Sequence, residues 1–224
     1  MTGSTHTRRI FVTGATGYLG IRLIPLLIER GHQVTALTRQ ESIRKVPPGC
    51  QMVVGNPFDA DSFFLSLRGN DTLVQLVGAP KPSPWKGVQF RAVDGPSALA
   101  AVRAAKVTGV QHFVYVSVAH PAPIMRDYIA VRTDCEAAIA EAGLIATILR
   151  PWYILGPGHW WPLALQPIYF LLERIPGKRE AAMRLGLVTI SEMLTAMVWS
   201  IEHPPVATRV VEVPEIRRLG LGDR

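Results

Sequence analysis

The sequence predicts an α/β fold: a doubly wound parallel sheet of six or seven strands, with a small C-terminal part. Three observations predict it. Short β-prone runs alternate with helical patterns, which is how a parallel sheet with right-handed crossovers reads. The first strand and helix are joined by three spaced glycines, Gly14, Gly17 and Gly20. The composition, 48% hydrophobic and 18% charged over 224 residues, suits a well-buried core in one domain, or a domain with a small appendage.

Arg9-Ile10-Phe11-Val12 reads as the first strand. Leu19, Ile21, Leu23, Ile24, Leu26, Leu27 and Ile28 then recur at largely helical spacing, and Gly31 stands where a left-handed cap would end the helix. Pro25 lies inside that helix and should kink it or remove a hydrogen bond. Between strand and helix, each glycine has a physical use. Gly14 takes the tight turn, Gly17 lets a pyrophosphate approach the backbone, and Gly20 lets the helix pack close to the strand. The helix N-terminus offers N–H groups and partial positive charge to the phosphates. The alternative is a glycine-rich turn without a ligand.

Thr13-Gly14-Ala15-Thr16-Gly17-Tyr18-Leu19-Gly20 resembles the cofactor loop of the extended and atypical short-chain dehydrogenase/reductase family. Members are similar to nucleotide-sugar epimerases, dehydratases and NmrA-like NAD(P)-binding proteins. Later landmarks carry the resemblance from Arg9 to Val213. It implies a Rossmann-like domain that binds NAD(P) through Gly14, Ala15, Thr16, Gly17, Tyr18, Leu19 and Gly20.

Gln33–Thr38 reads as the second strand. An NAD-preferring site usually has an acid at its end, about 20 residues past the glycines, to hold the ribose 2′-hydroxyl. Here Arg39 follows Thr38, with Arg44 and Lys45 nearby. A cation suits a 2′-phosphate, so NADP is expected in preference to NAD. A solvated loop residue is the alternative reading of Arg39. Gln51–Gly55 is the third strand. The family resemblance then sets Asn56 and Pro57 where an acid often meets the adenine amino group, and Asp59 is expected to cap a helix over Ala60–Leu67.

Asp71–Val77 reads as the fourth strand, and Pro80–Lys86, with three prolines and Trp85, as a loop. In the resembling fold Val77, Gly78 and Ala79 lie beside the cofactor ribose. Ser97–Thr108 is a helix capped by Gly109, and His112–Val116 the fifth strand. Ser117 ends it at the carboxyl edge, where such sheets bind ligands. Tyr128–Ala142 is a helix closed by Gly143, and Ile145–Leu149 the sixth strand. Arg150-Pro151-Trp152-Tyr153-Ile154-Leu155-Gly156-Pro157-Gly158 resembles the Arg-Pro-x-x-x-x-Gly-Pro-Gly segment of extended members, which implies that Pro151, Trp152 and Tyr153 lie against the nicotinamide. An apolar stretch from Trp160 to Leu172 is broken by Pro162 and Pro167. It is expected to form a substrate lid or a homodimer face, with buried core as the alternative. A late helix, Ser191 to Ile201, and a final strand, Arg209–Val213, complete a single domain over 1–224, to which 157–224 contribute a small substrate or lid part.

In the family a Ser, a Tyr and a Lys handle the proton, the Tyr and Lys four apart on one helix face. The resemblance carries these roles to Ser117, Tyr128 and Arg132. Arg132 stands where Lys is expected, with Glu136 and Arg150-Pro151 keeping the register. Arg keeps the charge but loses the compact ammonium head. A phenol of ordinary pKa, about 10, must be lowered to act as a base at neutral pH. His120 and His159 are further candidates for acid–base work.

The expected function is NADP-dependent oxidoreduction, or epimerase-like chemistry by transient hydride transfer, on a small carbonyl or alcohol. The alternative is a redox-sensing or structural NAD(P)-binding protein without turnover, which Arg132 favours and Ser117 with Tyr128 disfavours. The net charge is +7, but the basic residues are scattered, so no nucleic-acid partner is expected. No run of about 18 apolar residues predicts a membrane span. Cys50 and Cys135 form no metal pattern, so no metal is expected. The N-terminal Met1–Arg9 is polar with no apolar signal core, and a cytoplasmic location is expected.

Overall fold

The computed structural model describes residues 6–80, 83–122, 124–159 and 183–221. The strands are β1 (Arg9–Thr13), β2 (Gln33–Thr38), β3 (Gln51–Val54), β4 (Thr72–Gln75), β5 (His112–Val116), β6 (Ala146–Arg150), β7 (Tyr153–Leu155), β8 (Leu187–Thr189) and β9 (Arg209–Glu212). The helices are α1 (Gly20–Glu29), α2 (Phe64–Leu67), α3 (Gly87–Thr108), α4 (Arg126–Glu141), α5 (Ile190–Glu202) and α6 (Val213–Gly220).

Seven strands form one parallel sheet in the order β3-β2-β1-β4-β5-β6-β9. β7 and β8 pair separately, also in parallel. This is the doubly wound, Rossmann-like sheet the alternation predicts. The order reverses between β1 and β4, and a crevice opens at the carboxyl ends of those two strands.

Strand residues alternate between two apolar layers. Ile10, Val12, Val74, Val114 and Leu149 face Leu23, Ile24 and Leu27 of α1 and Met193, Met197 and Ile201 of α5. Phe11, Leu73, Phe113, Tyr115 and Ile148 face Ala98, Ala101 and Ala105 of α3 and Ile139 of α4. Alanines dominate that stripe of α3, so the helix can lie close to the sheet. At the opposite edge from the crevice, Arg30 grips Glu202 through two bonds of 2.6 and 2.8 Å, and His32 Nε2 lies 3.2 Å from the same carboxylate. This joins the end of α1 to the end of α5.

Several elements differ from the sequence reading. α3 begins at Gly87, ten residues before the expected start, and keeps Pro96 inside it. The expected loop Pro80–Lys86 ends in a 3-10 turn, Pro84–Lys86. The helix expected over Ala60–Leu67 is a 3-10 turn, Ala60–Ser62, followed by the single-turn α2. Asp59 caps that turn by accepting from the Asp61 N–H at 3.0 Å. β9, from the C-terminal part, is the seventh strand of the main sheet, and α5 packs on α1. The stretch from Trp160 to Leu172 lies outside the described residues.

Candidate functional site

The crevice is built by two loops in contact. Gly14 leaves β1 with φ +69°, a conformation that favours glycine. A Cβ there would sit 2.7 Å from the Leu76 carbonyl carbon and 2.8 Å from the Val77 nitrogen. Its turn closes through the Gly17 N–H donating to the Gly14 carbonyl at 2.9 Å. A Cβ on Gly20 would lie 2.5 Å from the Gly14 oxygen and 2.6 Å from that of Ala15, so the head of α1 presses on the loop. Gly17 is exposed, and a Cβ there would meet only the Gly14 oxygen within 4 Å, at 3.1 Å. The backbone at the helix head is thus bare where a phosphate would approach, and the loop fits a dinucleotide pyrophosphate. Ala15 is buried beneath it, while Thr16 and Leu19 are half-buried.

The Tyr18 side chain reaches from the loop to Arg22 and to the segment after β7. Its ring lies 4.2 Å from the Arg22 guanidinium and 4.4 Å from the His159 ring. Its hydroxyl is lodged against Gly156, where no side chain could fit. The glycine-rich loop is thereby joined to the Gly-Pro-Gly segment after β7. Beneath the crevice, Thr13 donates to Gln75, and Gln75 Nε2 donates to Ser97 at 3.2 Å, a buried polar thread between β1, β4 and α3.

At the end of β2, Arg39 is exposed and pairs with exposed Glu41 at 3.1 Å. Asn56 is exposed after β3. Its side chain accepts from the Phe58 N–H at 3.0 Å, which closes an Asx turn around half-buried Pro57.

The fourth-strand loop is held by Asp94, a residue sequence reasoning passed over. Asp94 is fully buried on α3. It accepts the Ala79 N–H at 2.9 Å and Arg132 Nη2 at 2.5 Å. Arg132 Nη1 also donates to the Val116 carbonyl at 2.7 Å and to the Tyr115 hydroxyl at 3.2 Å. A Cβ on Gly78 would fall 2.6 Å from Arg132 Nη2, so only glycine leaves room for the guanidinium. Arg132 thus ties α4 to α3, to the end of β5 and to the Gly78-Ala79 loop. Burial pushes its pKa down, but Tyr128, Tyr115 and Asp94 outweigh it and raise it above the ordinary arginine value.

Tyr128 lies one turn before Arg132, its ring 5.1 Å from that guanidinium and 4.7 Å from the Phe90 ring. Burial pushes the phenol pKa up, and Arg132 only partly offsets it. The phenol is therefore neutral at physiological pH rather than lowered towards a base.

Ser117 is 2% exposed and donates to Glu136 Oε1 at 2.5 Å. Arg150 grips the same carboxylate with Nε, at 3.1 Å, and Nη2. His120 Nε2 lies 3.8 Å from Glu136 Oε1. Glu136, buried, and Arg150, half-buried, both register markers in the sequence, form an ion pair that fixes the Ser117 hydroxyl. Pro151 is buried, its carbonyl accepting the Ala119 N–H at 3.0 Å. Trp152 and Tyr153 meet edge to face at 5.3 Å. Among the described residues no cluster of His, Cys, Asp or Glu could hold a metal, and no helix is long and apolar enough to cross a membrane.

Comparison with known proteins bears on this crevice. A family model described as NAD(P)H-binding matches residues 14–157. The chain is 26% identical over 216 residues to the ceramide reductase of Caulobacter vibrioides, a match over 94% of this chain and 66% of that protein. It is 29% identical over 120 residues to the 3 beta-hydroxysteroid dehydrogenase/Delta 5-->4-isomerase of Mycobacterium tuberculosis, over 51% of this chain and 32% of that one. The chain thus spans two thirds or less of the length of these relatives. In fold it resembles the Bordetella bronchiseptica enzyme WbmH, solved in complex with NAD+, with a TM-score of 0.67 at 20% identity, over 92% of this chain and 75% of that one.

Proposed function

The chain belongs to the NAD(P)H-binding family, and from that premise we propose an NADP-dependent oxidoreductase of the extended short-chain dehydrogenase/reductase type. It reduces a carbonyl carried on a large apolar body to the alcohol. One observation supports this above others: the carboxyl edge joins the bare Gly17 backbone, the Asp94-held Ala79 loop and the Tyr128 ring beside the Arg132 cation. The nicotinamide, when bound, supplies the hydride.

The protein's own residues manage the proton. Tyr128, with its phenol held neutral by burial, donates to the substrate oxygen as the carbonyl is reduced. That protonation state suits reduction better than oxidation, which needs a base. Arg132 stabilises the phenolate left behind. Ser117 turns from Glu136 to the substrate oxygen, giving up a charge-assisted bond worth about 1.5–3 kcal/mol. Arg39, exposed beside the end of β2, leaves Glu41 for the 2′-phosphate, since an exposed ion pair holds it by only about 0.2–1 kcal/mol. The apolar body of the substrate is taken from the names of the two relatives, one for ceramide and one for a steroid. The working compartment is the cytoplasm, where Cys50 and Cys135 stay reduced.

A second reading, an NAD(P)-binding protein without turnover, is favoured by one observation. Both terminal nitrogens of the Arg132 guanidinium are spent, Nη2 on Asp94 and Nη1 on Val116 and Tyr115. Titration with NADPH, followed by NADPH consumption across long-chain and steroidal ketones, separates the two. Binding with consumption supports the reductase. Binding without consumption supports the second reading, and failure to bind either NADPH or NADH refutes both.

A further inference from the structure

We propose that the edge made by the N-termini of α3 and α4 docks on an anionic lipid bilayer. Trp85 is 92% exposed, Val88 77% and Ile124 47%. They are brought to one edge by the packing of the Pro84–Lys86 turn and the start of α3 against the start of α4, which Ile124 precedes by two residues. The Pro84–Lys86 turn packs on both α3 and α4. Gly87 lies directly against Asp127, and Arg91 pairs with Asp127 at 3.2 Å. Val88 is one turn before Arg91, and Ile124 is three residues before Asp127, so both flank that junction.

Single exposed apolar residues are ordinary. An exposed indole with two aliphatic neighbours and a cationic surround is a membrane-interface pattern. Arg91 is balanced by its pair with Asp127, and the net positive charge of the edge comes from exposed Arg126 and from Lys86, whose ammonium donates to the Pro80 carbonyl at 2.7 Å. The whole chain carries +7. A basic edge is drawn to an anionic leaflet. The same charges oppose a second copy, since a symmetric contact would bring two edges of like net charge together. The edge adjoins the candidate site: Tyr128 follows Arg126 by two residues, and its ring rests on Phe90 of α3. A docked molecule would hold that site at the lipid surface, where an apolar substrate is found. The docking itself stands apart from any reading of turnover.

The test is sedimentation of the full chain with vesicles of phosphatidylserine and phosphatidylcholine, against vesicles of phosphatidylcholine alone. The expected result is binding to the anionic vesicles, weakened by salt, and weaker by about tenfold or more in the W85S/K86E double variant. Circular dichroism and urea unfolding of the same variant check that it is folded. A parent that stays in the supernatant, or a folded variant that binds like the parent, overturns the proposal. So does a parent dimer that W85S alone turns into a monomer, because the edge would then be an interface between copies.

Discussion

Arg132 on α4 donates to Asp94 on α3 at 2.5 Å, and the same carboxylate takes the Ala79 N–H at 2.9 Å. Arg132 is therefore matched by a buried acid, and together they hold the loop after β4. Removing one partner of a buried pair leaves the other charge unpaired and costs about 3–5 kcal/mol. Asp94→Ala is expected to lose that much in urea unfolding. Asp94→Asn, which keeps an acceptor, should lose less. An Asp94→Ala protein as stable as the parent would show the pair to be incidental.

Gly17→Val should abolish NADPH binding and spare the fold. Gly17 is exposed and its missing side chain faces little but the Gly14 oxygen, so the valine obstructs a ligand rather than the core. Calorimetric titration of the folded mutant checks it. Unchanged affinity would remove the loop from the cofactor site.

Arg39→Ala should cost NADPH about tenfold to a hundredfold in affinity and leave NADH nearly unchanged, as expected for a charge-assisted phosphate contact. Glu41→Gln should move NADPH the other way by a few-fold, because it frees Arg39 from the exposed pair at 3.1 Å. Parallel titrations with both cofactors decide it, and equal parent affinities would contradict the assignment.

Stability should fall on acidification through His112. Burial, with the Arg8 and Arg209 charges, lowers its pKa from 6.5 to about 4. Its Nε2 meets the Thr147 hydroxyl at 2.9 Å inside the sheet. The unfolded chain takes up the proton near pH 6.5 and the folded one only near pH 4. The stability due to the neutral ring is complete above that window and lost progressively as pH falls through it, about 3 kcal/mol in all. Urea midpoints across the window should show this loss, and His112→Gln should flatten it.

The sequence made the sheet legible because its signals are local. Gly14, Gly17 and Gly20 sit between a β-prone run and a helical pattern, and β1 and β5 carry the short apolar runs Ile10–Val12 and Phe113–Val116. The first turns of α3 were illegible because Asp94-Gly95-Pro96 carries turn-forming residues, and the packing of α3 against α4 is a tertiary contact. Asp94 stayed hidden for the same reason, since its partner Arg132 is 38 residues away. Glu136 and Arg150 showed only as spacing. Their joint hold on Ser117 is a tertiary contact that no local pattern encodes. β7 and β8, three residues each, are too short to carry a period.

Hydride transfer is tested most directly with NADPH deuterated at its transferable position, a steroidal or long-chain ketone, and mass spectrometry of the product. The parent protein should give an alcohol with deuterium on the carbinol carbon. Tyr128→Phe, with cofactor affinity intact, should form it about 10² to 10⁴ times more slowly. No labelled alcohol from any ketone, by a protein shown to bind NADPH, would contradict the reductase. Equal rates from parent and Tyr128→Phe would take the proton away from Tyr128.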